Sequence, residues 1–229
     1  NGATGTSNTI TLGGGTITGI ENIGWVEGSE FGDHIVGTSD SLSGDGPLFG
    51  MGGDDHLVAG YYTGALFGGT GNDIVDGRPS QYLYQVNGGD GDDTLYTNSN
   101  SFAAAYGGDG NDVIYGHREI FGDAGDDKIY VQFSYYGGDV HGGDGNDQIY
   151  APVDGYPYAN GTRLYGDAGN DLIVGGAGAD IMNGGAGDDM IIGGAENDLA
   201  IYSGRRSDYR IAWDPTGQQY ILTDLRPGS

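Results

Sequence analysis

One nine-residue phrase, written again and again, limits what this chain can fold into. Residues 107–115 read GGDGNDVIY and residues 142–150 read GGDGNDQIY. With the phrase numbered 1–9, copies begin at Gly28, Gly50, Gly68, Gly88, Gly107, Gly122, Gly142, Gly166, Gly175, Gly184 and Gly193. Position 1 is Gly and position 6 is Asp in every copy. Position 4 is Gly except at Phe31 and Glu196, and position 8 is apolar throughout, from Ile35 to Ala200. From Gly166 onward the copies follow every 9 residues; before it they are mostly 18 to 22 apart, with one step of 15 and one of 24. The full period is therefore about 18 residues, two nonapeptides, with the alternate one rewritten over most of the chain.

The rewritten copies keep their last two positions. Leu48-Phe49, Leu66-Phe67, Val86-Asn87, Ala105-Tyr106, Ile120-Phe121, Val140-His141 and Leu164-Tyr165 each precede a GG, GD or GM pair and match positions 8 and 9. Each turn reads as loop, short strand, second loop, short strand. Glycine at this density opposes a helix by up to ~1 kcal/mol per residue. In a strand, neighbouring side chains point to opposite faces, so position 8 faces inward while 7 and 9 face out. Stacking turns at the ~4.8 Å strand spacing satisfies each backbone from above and below. The expected fold is all-β: a parallel β-roll, one kind of β-solenoid, with the position-8 aliphatics between two sheets.

Stacking also lines up charge. Asp33, Asp55, Asp73, Asp93, Asp112, Asp127, Asp147, Asp171 and Asp189 fall in one column, and Asp180 and Asp198 begin a second on the opposite edge. Two unit charges ~5 Å apart repel by ~1 kcal/mol in water and by ~3 kcal/mol at an effective dielectric of about 20. Summed along a column, that rivals a domain's net stability of ~5–15 kcal/mol. A divalent cation between turns reverses the sign. Glycine loops can turn carbonyl oxygens toward the gap, and carbonyls plus one carboxylate per loop suit Ca2+, with ~6–8 oxygen ligands, better than Mg2+. With no Cys and 4 His, a zinc column is excluded. A lone GDGND would be an ordinary turn. Position 5, however, mixes Asn and Asp (Asn72, Asp92, Asn111, Asp126, Asn146, Asn170, Asp188, Asn197), while position 6 never does. A turn alone would not make that distinction.

The tandem motif GGxGxDxUx, with U apolar, over residues 28–201 resembles the RTX (repeats-in-toxin) calcium-binding family. The resemblance implies a right-handed parallel β-roll with several Ca2+ ions held between adjacent loops. It assigns side-chain ligands to Asp55, Asp73, Asp93, Asp112, Asp127, Asp147, Asp171, Asp180, Asp189 and Asp198. It assigns backbone carbonyls from positions 1 to 5, represented by Gly68 and Asn72, Gly88 and Asp92, Gly107 and Asn111, Gly122 and Asp126, Gly142 and Asn146, Gly166 and Asn170, and Gly184 and Asp188. It also implies export from a Gram-negative bacterium by a one-step channel, and folding outside the cell where calcium is high. Two departures stand out: the rewritten loops, such as 77–85 and 151–163, lack the motif, and the first copy, GSEFGDHIV, is degenerate.

The rest of the sequence bounds the partners. Against 33 acidic residues there are 8 basic ones, a net charge of −25. Nucleic acid, which needs Lys and Arg, is a poor partner. No apolar run approaches the ~18 residues of a membrane span. The opening NGATGTSNTI has no basic start, apolar core or initiator Met, so a monomeric module cut from a larger exported chain is expected. Residues 1–27 are expected to cap the solenoid. In 202–229, YRIAW and QYILT flank DPTGQ and predict a C-terminal β-hairpin cap that shields the last turn, before a truncated end. Neither HExxH nor GxSxG occurs, so the module is read as non-catalytic. His34 and His56, at outward position 7 in adjacent turns, are a solvated pair or a soft-metal pair. Tyr96, Tyr115, Tyr130 and Tyr150 at position 9 form an aromatic ladder on one sheet, matched by Phe49, Phe67, Tyr106, Phe121 and Tyr165 on the other. Such ladders stabilise a sheet; the competing reading makes them a platform for extracellular polysaccharide.

Overall fold

The structure, a computed structural model, describes residues 16–18, 25–37, 46–99, 103–132, 137–152, 161–203, 209–214 and 219–224. Among them are 22 strands, numbered here β1 to β22 in chain order, and no helix. The odd-numbered strands from β1 (Thr16–Thr18) to β19 (Met190–Ile192) form one parallel sheet of 10, stacked in sequence order. The even-numbered strands from β2 (Val26–Glu27) to β20 (Leu199–Ile201) form a second sheet of 10 in the same way. The fold is the expected parallel β-roll.

Register follows the repeat position by position. Leu95, Ile114, Ile129, Ile149 and Ile173 are successive partners in the first sheet. Ala105, Ile120, Val140, Leu164 and Met182 are successive partners in the second. These residues are buried and form one continuous core between the sheets. The inward rule fails only at the last turn, where Ile191 is half-buried and Ala200 is exposed. Ala200 lies on the terminal strand of its sheet, with no further strand of that sheet beyond it.

The strands of the second sheet are longer than the repeat suggests. β10 (Ala104–Asp109) and β14 (Asp139–Asp144) run on through positions 1 to 3 of the next nonapeptide. Positions 2 and 3 pair from turn to turn, as Gly108 with Asp123 and Asp109 with Ala124, so the ladder continues past the end of the apolar run. The loop proper shrinks to positions 4 to 6. Position 4 turns the corner with φ of +133° at Gly110 and +140° at Gly145, where a side chain is strained.

Both aromatic ladders form. Tyr96, Tyr115, Tyr130 and Tyr150 stack with centroids 5.0, 4.9 and 5.4 Å apart. On the other sheet Phe49 stacks on Phe67, and Tyr106, Phe121, His141 and Tyr165 form a run in which His141 takes a full place. The rings face one another, so the column interior offers edges, not faces, to solvent. Arg78 lies 4.3 Å over the Tyr96 ring and closes that end of the first ladder.

The C-terminal hairpin is present: β21 (Tyr209–Asp214) pairs antiparallel with β22 (Gln219–Asp224), whose backbone approaches β19. Its turn at 215–218, most of the 1–27 flank, and Arg205, Arg206 and Arg226 lie outside the described residues. No helix among the described residues is long and apolar enough to cross a membrane.

Truncation of a core rung tests this architecture. Ile129→Ala should cost about 2–5 kcal/mol in a urea melt at saturating calcium, while Gln148→Ala, on the exposed face, should stay within about 0.5 kcal/mol. Equal losses would contradict the inward placement of position 8.

Candidate metal centre

Each position-6 Asp holds the turn before it. The Asp93 amide donates to Asp112 Oδ1 at 2.8 Å, the Asp112 amide to Asp127 Oδ1 at 2.8 Å, and the Asp127 amide to Asp147 Oδ1 at 2.8 Å. The chain of contacts runs without a break from Asp33 through Asp55, Asp73 and onward to Asp171 and Asp189. On the opposite edge the Thr162 amide donates to Asp180 Oδ1 and the Asp180 amide to Asp198 Oδ1. Both expected columns therefore exist.

In eight of these carboxylates the second oxygen has no such donor. Oδ2 of Asp55, Asp73, Asp93, Asp112, Asp127, Asp147, Asp171 and Asp180 is buried without a hydrogen-bond partner. Its surroundings repeat as strictly. A Cβ built on Gly107 would collide with Asp112 Oδ2 and with the carbonyl oxygen of Gly122 in the next turn. The same two kinds of oxygen meet at Gly50, Gly68, Gly88, Gly122, Gly142, Gly166 and Gly175. Position 1 is glycine because two acceptors already occupy the space of its side chain. Two buried acceptor oxygens side by side, with no donor group between them, call for a cation or a proton.

The charge state follows. Burial pushes Asp112 up to about 8 against the lowering effect of the Asp93 amide, with the charges of Asp127 and Asp93 adding to the rise. Burial likewise raises Asp55, Asp93, Asp127 and Asp171 to about 7 and Asp73, Asp147 and Asp180 to about 6. Without a cation, the folded roll favours protonated carboxyls.

Asp33 is the informative exception. The Ser29 amide and hydroxyl donate to its Oδ2 at 2.7 and 2.9 Å, so the degenerate first copy supplies from its own chain what the other copies lack. At the far end, Asp189 and Asp198 sit in the last loop of each column, and no following glycine carbonyl joins them at Gly184 or Gly193.

Position 5 serves a different end. The Asp92 amide donates to Asn72 Oδ1, the Asn111 amide to Asp92 Oδ1, the Asp126 amide to Asn111 Oδ1 and the Asn146 amide to Asp126 Oδ1, all at 2.7–2.8 Å. Asn170 and Asp188 continue the series. One amide or carboxylate oxygen suffices there, so Asn and Asp interchange. The direction is opposite to that of position 6, and the two ladders clamp each pair of turns from both sides.

The rewritten edge has its own glue. The Gly60 amide donates to Thr63 Oγ1 at 2.8 Å, Ser80 Oγ to the Thr63 carbonyl at 2.6 Å, and Asn98 Nδ2 to the Ser80 carbonyl. Thr63, Ser80 and Asn98 are buried. No repeat marks these residues, and only the loss of GGxGxD hinted at them. Elsewhere His34 and His56 stack at 4.8 Å, where burial and then the His34 charge hold His56 below the usual imidazole range. His141, unremarkable in the sequence, bonds Asp167 Oδ2 at 2.7 Å. Among the described residues no three His, Cys, Asp or Glu side chains converge.

A parallel roll built on glycine loops, with eight buried carboxylates that each leave one oxygen unmet, defines a repeat protein with columns of candidate cation sites. The profile of the RTX calcium-binding nonapeptide repeat matches residues 49–79, 85–101, 105–118, 119–131, 137–151 and 165–200, more than half of the chain. The chain belongs to that family, and its repeats bind Ca2+. Neither curated proteins nor solved structures gave a match.

The raised carboxyls set a pH dependence for the metal-free chain. A folded value above the ordinary one gives stability that is complete below the unfolded value, 3.8, and lost as pH rises through about 6 to 8. In chelator, β signal by circular dichroism should therefore grow as pH falls from 8 to 5. A signal that shrinks over that range would mean the carboxylates are not buried as described.

Proposed function

We propose that this chain is a calcium-triggered folding module of an exported protein, unfolded where calcium is scarce and locked as a β-roll where it is plentiful. The observation that carries this is the row of buried, donorless Oδ2 atoms, each beside the next turn's glycine carbonyl. The ligand set we infer is Oδ2 of Asp55, Asp73, Asp93, Asp112, Asp127, Asp147, Asp171 and Asp180 with carbonyls of positions 1 to 5 in the flanking loops. Asp189 and Asp198, in the terminal loops, complete the columns by accepting the amides of Asp171 and Asp180. When bound, calcium supplies positive charge and a coordination sphere of ~6–8 oxygens. The chain does the rest. Position-1 glycine leaves the space open, position-4 glycine turns the loop, and the Oδ1 and position-5 ladders fix the spacing between turns.

Release outside the cell and folding there rest on the family's habit and on the charge of −25. An exported chain held unfolded by its own carboxylates needs no separate device to stay threadable. The module has a structural role, and any catalysis belongs to other parts of the protein that carries it. The hairpin of β21 and β22 shields the end of the first sheet.

Two outcomes test the proposal. In EDTA at pH 7.5 the chain should lack β structure and gain it cooperatively on calcium addition, with a Hill slope above one, because the sites exist only in the fold. A cooperative β spectrum in the chelator would contradict it. Asp112→Ala should move the folding midpoint to clearly higher calcium. Asp109→Ala should barely move it, since the Asp109 side chain is exposed and its carbonyl already accepts the Gly91 amide at 2.6 Å. Equal shifts would mean that bulk charge, not a ligand position, sets the calcium requirement.

A further inference from the structure

Most of the chain's 17 Tyr, 6 Phe and 2 Trp lie outside the two ladders. The connections at 59–64 and 77–84, on the edge away from the main Asp column, carry Tyr61, Tyr62, Tyr82 and Tyr84 in adjacent turns. Tyr82 and Tyr84 are 60% and 59% exposed, and Tyr61 is 41% exposed. We propose that this cluster is a binding platform for an uncharged polysaccharide, whose sugar rings stack on the exposed rings of Tyr82 and Tyr84.

Tyr82 and Tyr84 are the most exposed rings of the cluster, and each meets a neighbour on one side. Tyr82 stacks on Tyr62 at 5.0 Å and 18°. Tyr84 brings its Cε1 edge against Gly64, where a Cβ would come within 2.6 Å of it. Tyr61 buttresses the pair edge-on, with centroids 4.8 Å from Tyr62 and 6.4 Å from Tyr82. Between the exposed rings, Leu83 is buried in the core, so packing is served by Leu83 and not by Tyr82 or Tyr84.

The platform is rigid before any ligand arrives. The Gln81 amide donates to the Tyr61 carbonyl and the Tyr84 amide to the Gly64 carbonyl, both at 2.8 Å. Ser80, fully buried, receives the Tyr82 amide on Oγ at 3.1 Å and donates to the Thr63 carbonyl at 2.6 Å. Fixed aromatic rings bind at low entropic cost.

Chemistry and size select the occupant. An aromatic face is electron-rich and attracts the C–H groups of a sugar ring. The charge of −25 disfavours an anionic ligand. Asp76 and Arg78, in the same region, pair with each other through contacts of 2.8 and 2.7 Å, so neither presents an unpaired charge to a ligand. A stable protein partner needs about 20–30 residues a side, whereas this cluster is four tyrosines. A narrow, uncharged, C–H-rich chain fits what remains.

The test uses the full chain in saturating calcium, titrated calorimetrically with β-1,4-glucan, β-1,3-glucan and α-1,4-glucan hexamers and with polygalacturonate as an anionic probe. At least one neutral hexamer should bind and polygalacturonate should not. Tyr82→Ala and Tyr84→Ala should each weaken binding about ten-fold, while Tyr82→Phe stays near wild type and Tyr115→Ala, within a ladder, changes nothing. Circular dichroism checks that each variant folds, so a negative result leaves the calcium reading untouched. The proposal is overturned if no neutral hexamer binds at millimolar concentration, if polygalacturonate binds instead, or if Tyr115→Ala weakens binding as much as Tyr82→Ala. It is also overturned if sedimentation shows self-association that Tyr82→Ala abolishes, since the occupant would then be a second copy.

Discussion

A buried carboxylate oxygen with no donor is the constraint on which the roll depends. Leaving one buried acceptor unsatisfied costs ~1–3 kcal/mol, and more when it is charged. Eight such oxygens are stacked here, so even the low end reaches the ~5–15 kcal/mol that is all the net stability a domain has. The aliphatic core and the ladders cannot carry that load in addition to the ordinary entropy of folding. Protonation or a cation relieves it, and the family's repeats bind Ca2+. Calcium binding by the repeats fits that need, and glycine at position 1 leaves room for the two acceptor oxygens.

The two edges of the roll solve one stacking problem with different materials. On one edge a repeated Asp column leaves its outer oxygens unmet from turn to turn. On the other, from Gly60 to Asn98, hydroxyl, amide and carbonyl groups satisfy one another directly. Freed from the nonapeptide, that edge can carry side chains of its own choosing, and it carries tyrosine. The last turns return to strict nonapeptides, and Asp180 brings the orphaned oxygen to the second edge as well. Ser29 shows how small the difference is: one hydroxyl and one amide turn a would-be metal site at Asp33 into a closed hydrogen-bonded loop.

Much of this was legible because the fold is periodic. The apolar position 8 placed Ile114 over Ile129, and the remnant pairs such as Leu164-Tyr165 located the second sheet to the residue. The contrast between mixed position 5 and invariant position 6 separated a hydrogen-bond acceptor from a group needing negative charge, although the ladder that explains position 5 was not visible. Close approach was not readable either. That Gly107 is needed for space and Gly110 for its dihedral angle depends on atoms of the neighbouring turns. Thr63, Ser80 and Asn98 escaped notice because they occur once each, in loops of differing length. His141 hid among aromatic residues whose column it completes. Ala200 broke the inward rule because a period says nothing about where stacking ends.

The most direct test is an anomalous-diffraction experiment on crystals grown with calcium. The account predicts a row of ordered cation peaks beside Oδ2 of Asp55 through Asp171 and another beside Asp180, with none at Asp33 and none along Thr63, Ser80 and Asn98. Ordered carboxylates with no peaks beside them, or peaks of equal height at Asp33, would contradict it.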